Sequence, residues 1–147
     1  MEKNLIVRTA KETEMEWVNT RYDEVGFVHS NFEKEIIAIA EFEGQRAGIG
    51  RLVTIDSHHL ELGGMYVFEP YRKQGVAGAI VEFLLKRNSM AHIVYCIPFE
   101  HLASFYKGFG FVACTDLQSV PKEVLDKSLW CKEKYCHPTS LLILENS

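Results

Sequence analysis

Between an apolar run that closes at Pro70 and another that opens at Ala91 stands a segment of helical spacing, GVAGAIVEFLLKR. Val76, Ile80, Phe83, Leu84 and Arg87 fall on one stripe, and Lys86 and Arg87 suit the negative end of a helix dipole. A helix set between two strand-like runs commits the chain to strand, helix, strand units and so to an α/β sheet. The start of this helix is unusual. Its first N–H groups carry partial positive charge and normally meet a Ser, Thr, Asp or Asn cap and acidic residues in the first turn. Here Arg72 and Lys73 add positive charge, Gly75 and Gly78 remove side chains, and the first acid is Glu82. A phosphate held on the backbone N–H groups is the simplest source of the missing negative charge.

The rest of the chain supplies the sheet. NLIVRTA reads as a first strand, and KETEMEWVNTRY as a helix with Trp17 and Val18 turned inward. DEVGFVHSNFEK has no clean period and is read as loop with a short helix. EIIAIAEFEG, RAGIGRLVTID and HHLELGGMYVFEP make three strands in a likeness of an antiparallel meander, the first closed by Gly44. AHIVYCIPF, nearly all apolar, is expected at the centre of the sheet. HLASFYKGFGF is a short helix closing at Gly108 or Gly110, and FVACTD the strand after it. PKEVLDKSLWCKEKY is a helix that starts at Pro121 and packs Val124, Leu125, Leu129 and Trp130; TSLLILE is a last strand. The adjacent Gly63 and Gly64 inside a strand predict a bulge or a close backbone approach.

Composition narrows the partners. A chain of 147 residues fits one domain, residues 1–147, with a single sizeable core. A net charge of -4 argues against a general nucleic-acid binder, so any anion site is local. No apolar run approaches the roughly 20 residues of a membrane span. The N-terminus MEKNLIVRTAKETE lacks a signal peptide's apolar region, and Cys96, Cys114, Cys131 and Cys136 are read as reduced thiols of a cytoplasmic protein. CKEKYCH brings Cys131, Cys136 and His137 together, but no second ligand cluster has zinc-site spacing, so no metal is expected.

The phosphate is not held by a P-loop, since no GxxxxGK[ST] is present, nor by a dinucleotide fingerprint, since GVAGAI lacks the first glycine pair. The run Arg72-Lys73-Gln74-Gly75-Val76-Ala77 is instead similar to the (R/Q)xxGx(G/A) pattern of the GCN5-related N-acetyltransferases. A second element, Phe105-Tyr106-Lys107-Gly108-Phe109-Gly110-Phe111, resembles that family's YxxxGF segment, and the order of elements agrees over nearly the whole chain. The chain departs from the family at Phe99, seven residues before the tyrosine, where many members carry an Asn.

The resemblance implies a mixed, mostly antiparallel sheet of about six to seven strands with helices on both faces, splayed at a cofactor slot. It implies acetyl-coenzyme A as acyl donor, with its pyrophosphate on Arg72, Lys73, Gln74, Gly75, Val76, Ala77 and Gly78. The backbone of Met65, Tyr66 and Val67 would bond the pantetheine arm and polarise the acetyl carbonyl. Glu61, eleven residues before Arg72, matches the family's strand-borne general base, and Tyr106 the proton donor to the departing thiolate. A lysine-like amine, with a pKa near ~10, must lose a proton before it attacks. An exposed carboxylate on a half-solvated strand is the competing reading of Glu61, a packing aromatic that of Tyr106; His58 and His59 are fallback bases. Tyr22, Phe27, His29 and Phe32 would line the acceptor side, for a small-molecule or peptide amine. Many relatives pair as homodimers through such terminal strands, and an exposed strand edge invites pairing, so a homodimer is among what the resemblance implies. The rival function is an acyl-coenzyme A sensor that keeps the anion site without a competent base, and an acyl group longer than acetyl is also compatible.

Overall fold

The computed structural model describes residues 4–88, 93–135 and 137–145. Strands β1 (Leu5–Thr9), β2 (Glu35–Phe42), β3 (Gln45–Thr54), β4 (His59–Val67), β5 (Ile93–Cys96), β6 (Val112–Ala113) and β7 (Leu142–Glu145) form one sheet in the order β1-β2-β3-β4-β5-β7-β6. The helices are α1 (Met15–Glu24), α2 (Val76–Lys86), α3 (Ala103–Lys107) and α4 (Lys122–Lys134). The β1/β2, β2/β3, β5/β7 and β6/β7 pairs are antiparallel, whereas β4/β5 is parallel, giving the mixed sheet that the sequence predicted. Backbone contacts divide the chain into two units: the first holds the chain up to Val53 and Gly64–Asn88, the second Thr54–Gly63 and the chain beyond Asn88. Among the described residues no helix is long and apolar enough to cross a membrane.

In the first unit, strand alternation decides what each face of the sheet can receive. Successive side chains point to opposite faces, so Ile37 and Ile39 of β2 share a face with Ile49 of β3, whereas Ala38 and Ala40 share the other with Gly50 and Gly48. The large face buries Val18 and Tyr22 of α1 together with Ala10, and Met15, Trp17, Phe27, Tyr66 and Phe68 pack against that cluster. The small face admits α2: a Cβ at Gly50 would lie 2.5 Å from Ile80 Cγ2, and one at Gly48 would lie 3.2 Å from Val76 Cγ1. Val76, Ile80, Val81 and Leu84 are the buried residues of α2. Arg87, placed on that stripe by its spacing, is exposed instead, with its guanidinium 4.0 Å above the Phe83 ring. Its charge keeps the head in water while the stem covers an aromatic face.

A charge network ties β1 to the turn before α1. Arg8 donates to both Glu14 oxygens, at 2.8 and 3.0 Å, Arg46 adds a third bond at 3.0 Å, and the Lys11 N–H a fourth at 2.9 Å. The Arg8 hydrogen bond is the largest cause that holds Glu14 down from 4.5 to about 2. Because the folded value is the depressed one, this stabilisation is complete above about pH 4.5 and fades as the pH falls toward 2, on the order of 2 kcal/mol in all. In acid titrations of thermal stability, wild type is expected to lose stability through that window, and Glu14→Gln, weaker at neutral pH, to lose less. Parallel curves for the two proteins would rule the network out as a source of acid sensitivity.

In the second unit, Tyr95, Val120 and Val124 are buried together, and Ile55, Ile93, Ile97, Leu125, Leu141 and Ile143 pack against them. Four expectations are corrected here. The segment 25–34 folds as turns and irregular chain, with no helix. Helix α4 buries Val124, Ser128 and Cys131, an i, i+4, i+7 stripe, and this leaves Leu129, 61% exposed, and Trp130 on the surface. The C-terminal strand β7 is not a free edge but lies between β5 and β6, so a dimer built on it would have to displace β6. Strand β6 itself is shorter than FVACTD predicted. Of the cysteine cluster, Cys131 is buried and free, while Cys136 lies outside the described residues.

Candidate active site

After β4 ends at Val67, a 3-10 turn over Glu69–Tyr71 leads into α2. Between them Lys73 has φ 64° and Gly75 φ 82°, both in the left-handed region. For a lysine this conformation costs about 1–2 kcal/mol, and such strain persists where the surroundings impose it, commonly at binding loops. Gly75 is the N-cap of α2; as a glycine it offers no side-chain cap, and no acid stands in the helix's first turn. A Cβ at Gly75 would meet nothing within 4 Å, so conformation and not space requires the glycine. Arg72 and Lys73 stand exposed ahead of the helix, and Arg72 Nε donates to the Val67 carbonyl at 3.1 Å. Gln74 is also exposed, Val76 is buried against the sheet, and Ala77 and Gly78 are half-buried. Backbone donors at a glycine-capped helix start and two neighbouring cations make a local fit for a phosphate.

The strand that delivers this turn changes its backbone conformation at the second of the two glycines while remaining one strand. Gly64 has φ 60°, and its carbonyl accepts a 2.7 Å hydrogen bond from the Tyr22 hydroxyl. Pairing of β4 with β5 covers His59–Leu62 and stops before the glycines. Of the residues beyond, Met65 lies over Gly50, and the Tyr66 hydroxyl donates to Glu24 Oε1 at 3.0 Å.

Tyr22 and Phe27, expected on the acceptor side, are brought together with ring centroids 5.8 Å apart. Tyr22 is fully buried, and burial pushes its phenol up; its hydroxyl holds the Gly64 carbonyl instead of facing solvent. His29 and Phe32 are exposed, and His29 Nε2 lies 2.7 Å from Asp23 Oδ1. The residue that shapes this loop was not foreseen. Arg51 of β3, 5% exposed, donates from Nη1 to the Val28 carbonyl at 2.8 Å and to Ser30 Oγ at 2.7 Å, and its guanidinium sits 4.6 Å over the Tyr22 ring.

Glu61 belongs to the second unit and is 3% exposed, not the solvated carboxylate that simple alternation allowed. Its Oε2 accepts a hydrogen bond of 2.7 Å from Lys127 Nζ of α4. The Cys96 thiol is raised by burial and then by the Glu61 carboxylate; the buried Tyr106 phenol is raised by burial and then by Cys96. Burial makes this phenol a weaker acid than an exposed one, and like any phenol it is protonated at neutral pH. His59 Nδ1 instead lies 2.8 Å from Asp56 Oδ1, and His58 is exposed. Phe99, where the family often has Asn, packs its ring on His101, Tyr135 and His137. Lys127 was legible only as part of a helix surface, although its place beside Val124, Ser128 and Cys131 puts it at the margin of the buried stripe.

A family model of the acetyltransferase (GNAT) domain matches residues 33–113, more than half of the chain. The chain belongs to this family of acetyltransferases. The matched stretch carries Glu61, the start of α2 and Tyr106, and ends before α4. Among solved structures, Rv2747 of Mycobacterium tuberculosis, in complex with CoA and NLQ, superposes with a TM-score of 0.74 at 20% identity, covering 97% of this chain and 99% of that one. The ribosomal-protein-S18-alanine N-acetyltransferase of Escherichia coli gives 0.70 at 14% identity, over 98% and 95% of the two chains. Arabidopsis thaliana Naa50, bound to the bisubstrate analogue CoA-Ac-MVNAL, gives 0.70 at 15% identity, over 97% and 99%. These likenesses are likenesses of fold. No curated protein sequence matched the chain.

Proposed function

We propose that the protein is an acetyl-CoA-dependent N-acetyltransferase in which a primary amine attacks the donor directly. The observation that carries this is the start of α2, glycine-capped and preceded by two cations, in a chain of the acetyltransferase family. Similar structures in complex with CoA and with a CoA-containing bisubstrate analogue support the choice of donor. Bound there, the donor supplies a thioester carbonyl as electrophile. Arg72, Lys73 and the N–H groups from Gly75 onward hold the pyrophosphate, and the backbone of Met65 to Val67 bonds the pantetheine arm. Glu61 takes a proton from the amine, and Tyr106 gives one to the departing sulfur. Phe27, His29 and Phe32 lie in the loop assigned to the acceptor. A peptide or protein amine is one acceptor class supported by the relatives, through the MVNAL analogue on Naa50 and the alanine enzyme.

The test is release of thiol from acetyl-CoA by purified protein across amino acids, polyamines and peptides, with Glu61→Gln beside it. A positioned general base contributes about 10²- to 10⁴-fold, so the variant is expected to lose at least about 100-fold in kcat/KM while still binding CoA. The Glu61–Lys127 pair favours a second reading, a CoA-binding sensor, because an ammonium already occupies one carboxylate oxygen. Tight CoA binding with no thiol release for any amine, identical in both proteins, would select the sensor.

A further inference from the structure

A general base must lie about 2.6–3.2 Å from the nitrogen that it deprotonates. Among the described residues, Lys127 Nζ stands at that distance from Glu61, 2.7 Å from Oε2. Lys127 therefore makes with the carboxylate the contact that an acceptor amine would have to make. Its side chain is also not sealed in: it is 33% exposed, against 4% for that of Glu61. The lysine sits on α4, one residue before Ser128 of the buried stripe, and its amine reaches Glu61 of β4. The family match ends before α4, so this amine belongs to a part of the chain that the match does not describe.

We propose that Lys127 is an intramolecular acceptor, acetylated by the protein's own site. The inference rests on the reading of Glu61 as general base. The Lys127 ammonium gives a proton to the Glu61 carboxylate, and the nitrogen lone pair then forms an N–C bond to the acetyl carbonyl carbon. The C–S bond breaks with its electron pair going to sulfur, which takes a proton from Tyr106 and leaves as thiol; the nitrogen's second proton restores Tyr106, and the proton on Glu61 passes to solvent. The sum is ammonium plus thioester giving amide, thiol and one proton to solvent. Tethering favours the step, since a well-oriented intramolecular amine acts at a high effective concentration. The product keeps one N–H for Glu61 but no charge, so the modification also frees the base from an ion pair.

The experiment incubates the protein with acetyl-CoA and no added amine and maps acetyl groups on its peptides by mass spectrometry. One acetyl group is expected on the peptide containing Lys127, formed at a rate independent of protein concentration and slowed about 100-fold or more in Glu61→Gln. Lys127→Arg, which keeps the cation, should leave that peptide unmodified while retaining CoA binding. A readout without donor follows competitive labelling by acetic anhydride. Lys127 should react more slowly than exposed Lys132 in wild type and gain reactivity in Glu61→Gln. An unmodified Lys127 in a protein that turns over an added amine through Glu61, or labelling of Lys127 indifferent to Glu61→Gln, overturns the proposal and leaves the proposed function standing. Equal turnover of an added amine by wild type and Glu61→Gln overturns the base and the self-acetylation together.

Discussion

Replacing Arg51 by Met is expected to cost the folded protein about 3–5 kcal/mol, the range for removing one partner of a buried ion pair. Methionine can fill the space of the arginine stem, but it removes both hydrogen bonds to the loop, at Val28 and Ser30. It also leaves Glu35 behind. That carboxylate is nearly buried, its Oε1 lies 4.0 Å from Arg51 Nη1, and the same oxygen has no hydrogen-bond partner. An acid in that position without a nearby cation is the larger part of the cost. Two comparisons separate the causes in urea denaturation. Adding Glu35→Gln to Arg51→Met should recover part of the loss if the uncompensated charge dominates, whereas Arg51→Lys should retain the charge and lose the forked geometry. A loss below about 0.5 kcal/mol in Arg51→Met, the scale of ordinary surface changes, would mean that the loop is held by something else.

Gly64→Ala is expected to cost about 2–5 kcal/mol from two independent sources. The left-handed backbone at φ 60° charges any L side chain about 1–2 kcal/mol. The added Cβ would lie 2.6 Å from both Arg51 Nε and Tyr22 Oη, an overpacking of a kind that typically costs about 1–3 kcal/mol. Both crowding atoms belong to buried side chains, so relief requires movement of Tyr22 and of the hydrogen bond it gives to Gly64. Tyr22→Phe removes one of the two clashes. In the double variant the two losses should therefore add to less than their sum, by an interaction energy within the roughly 0.5–3 kcal/mol seen for contacting residues. Strict additivity would contradict the placement of the hydroxyl against Gly64.

The elements most visible in the sequence are those whose pattern is local. The Ile/Ala and Gly/Ile alternation of β2 and β3 carries the strand period, and the glycine-rich start of α2 carries the anion site. Other features depended on distant partners. Leu129 and Trp130 are the kind of residues that a helix usually buries, but the stripe set by Val124 and Cys131 turns them outward, and no local rule chooses between two possible faces. The insertion of β7 between β5 and β6 is a matter of pairing across the chain. Arg51 stands on the apolar alternation of RAGIGRLV, where a charge signals a buried role, yet its acceptors at Val28 and Ser30 could not be named from sequence. Glu61 was visible through a motif offset; its pairing with Lys127, sixty-six residues later, was not.

Ala38, Ala40, Gly48 and Gly50 form a low floor under α2, and Val76 and Ile80 stand within 3.3 Å of where glycine Cβ atoms would be. A helix seated this closely cannot ride up, slide or roll by a side chain's width without losing contact. Its first-turn N–H groups therefore keep their direction with no anion present. On the proposed reading, capture of the donor's phosphates asks for no ordering of this segment, and the entropy that a floppy loop would surrender on binding was already given up when the chain folded.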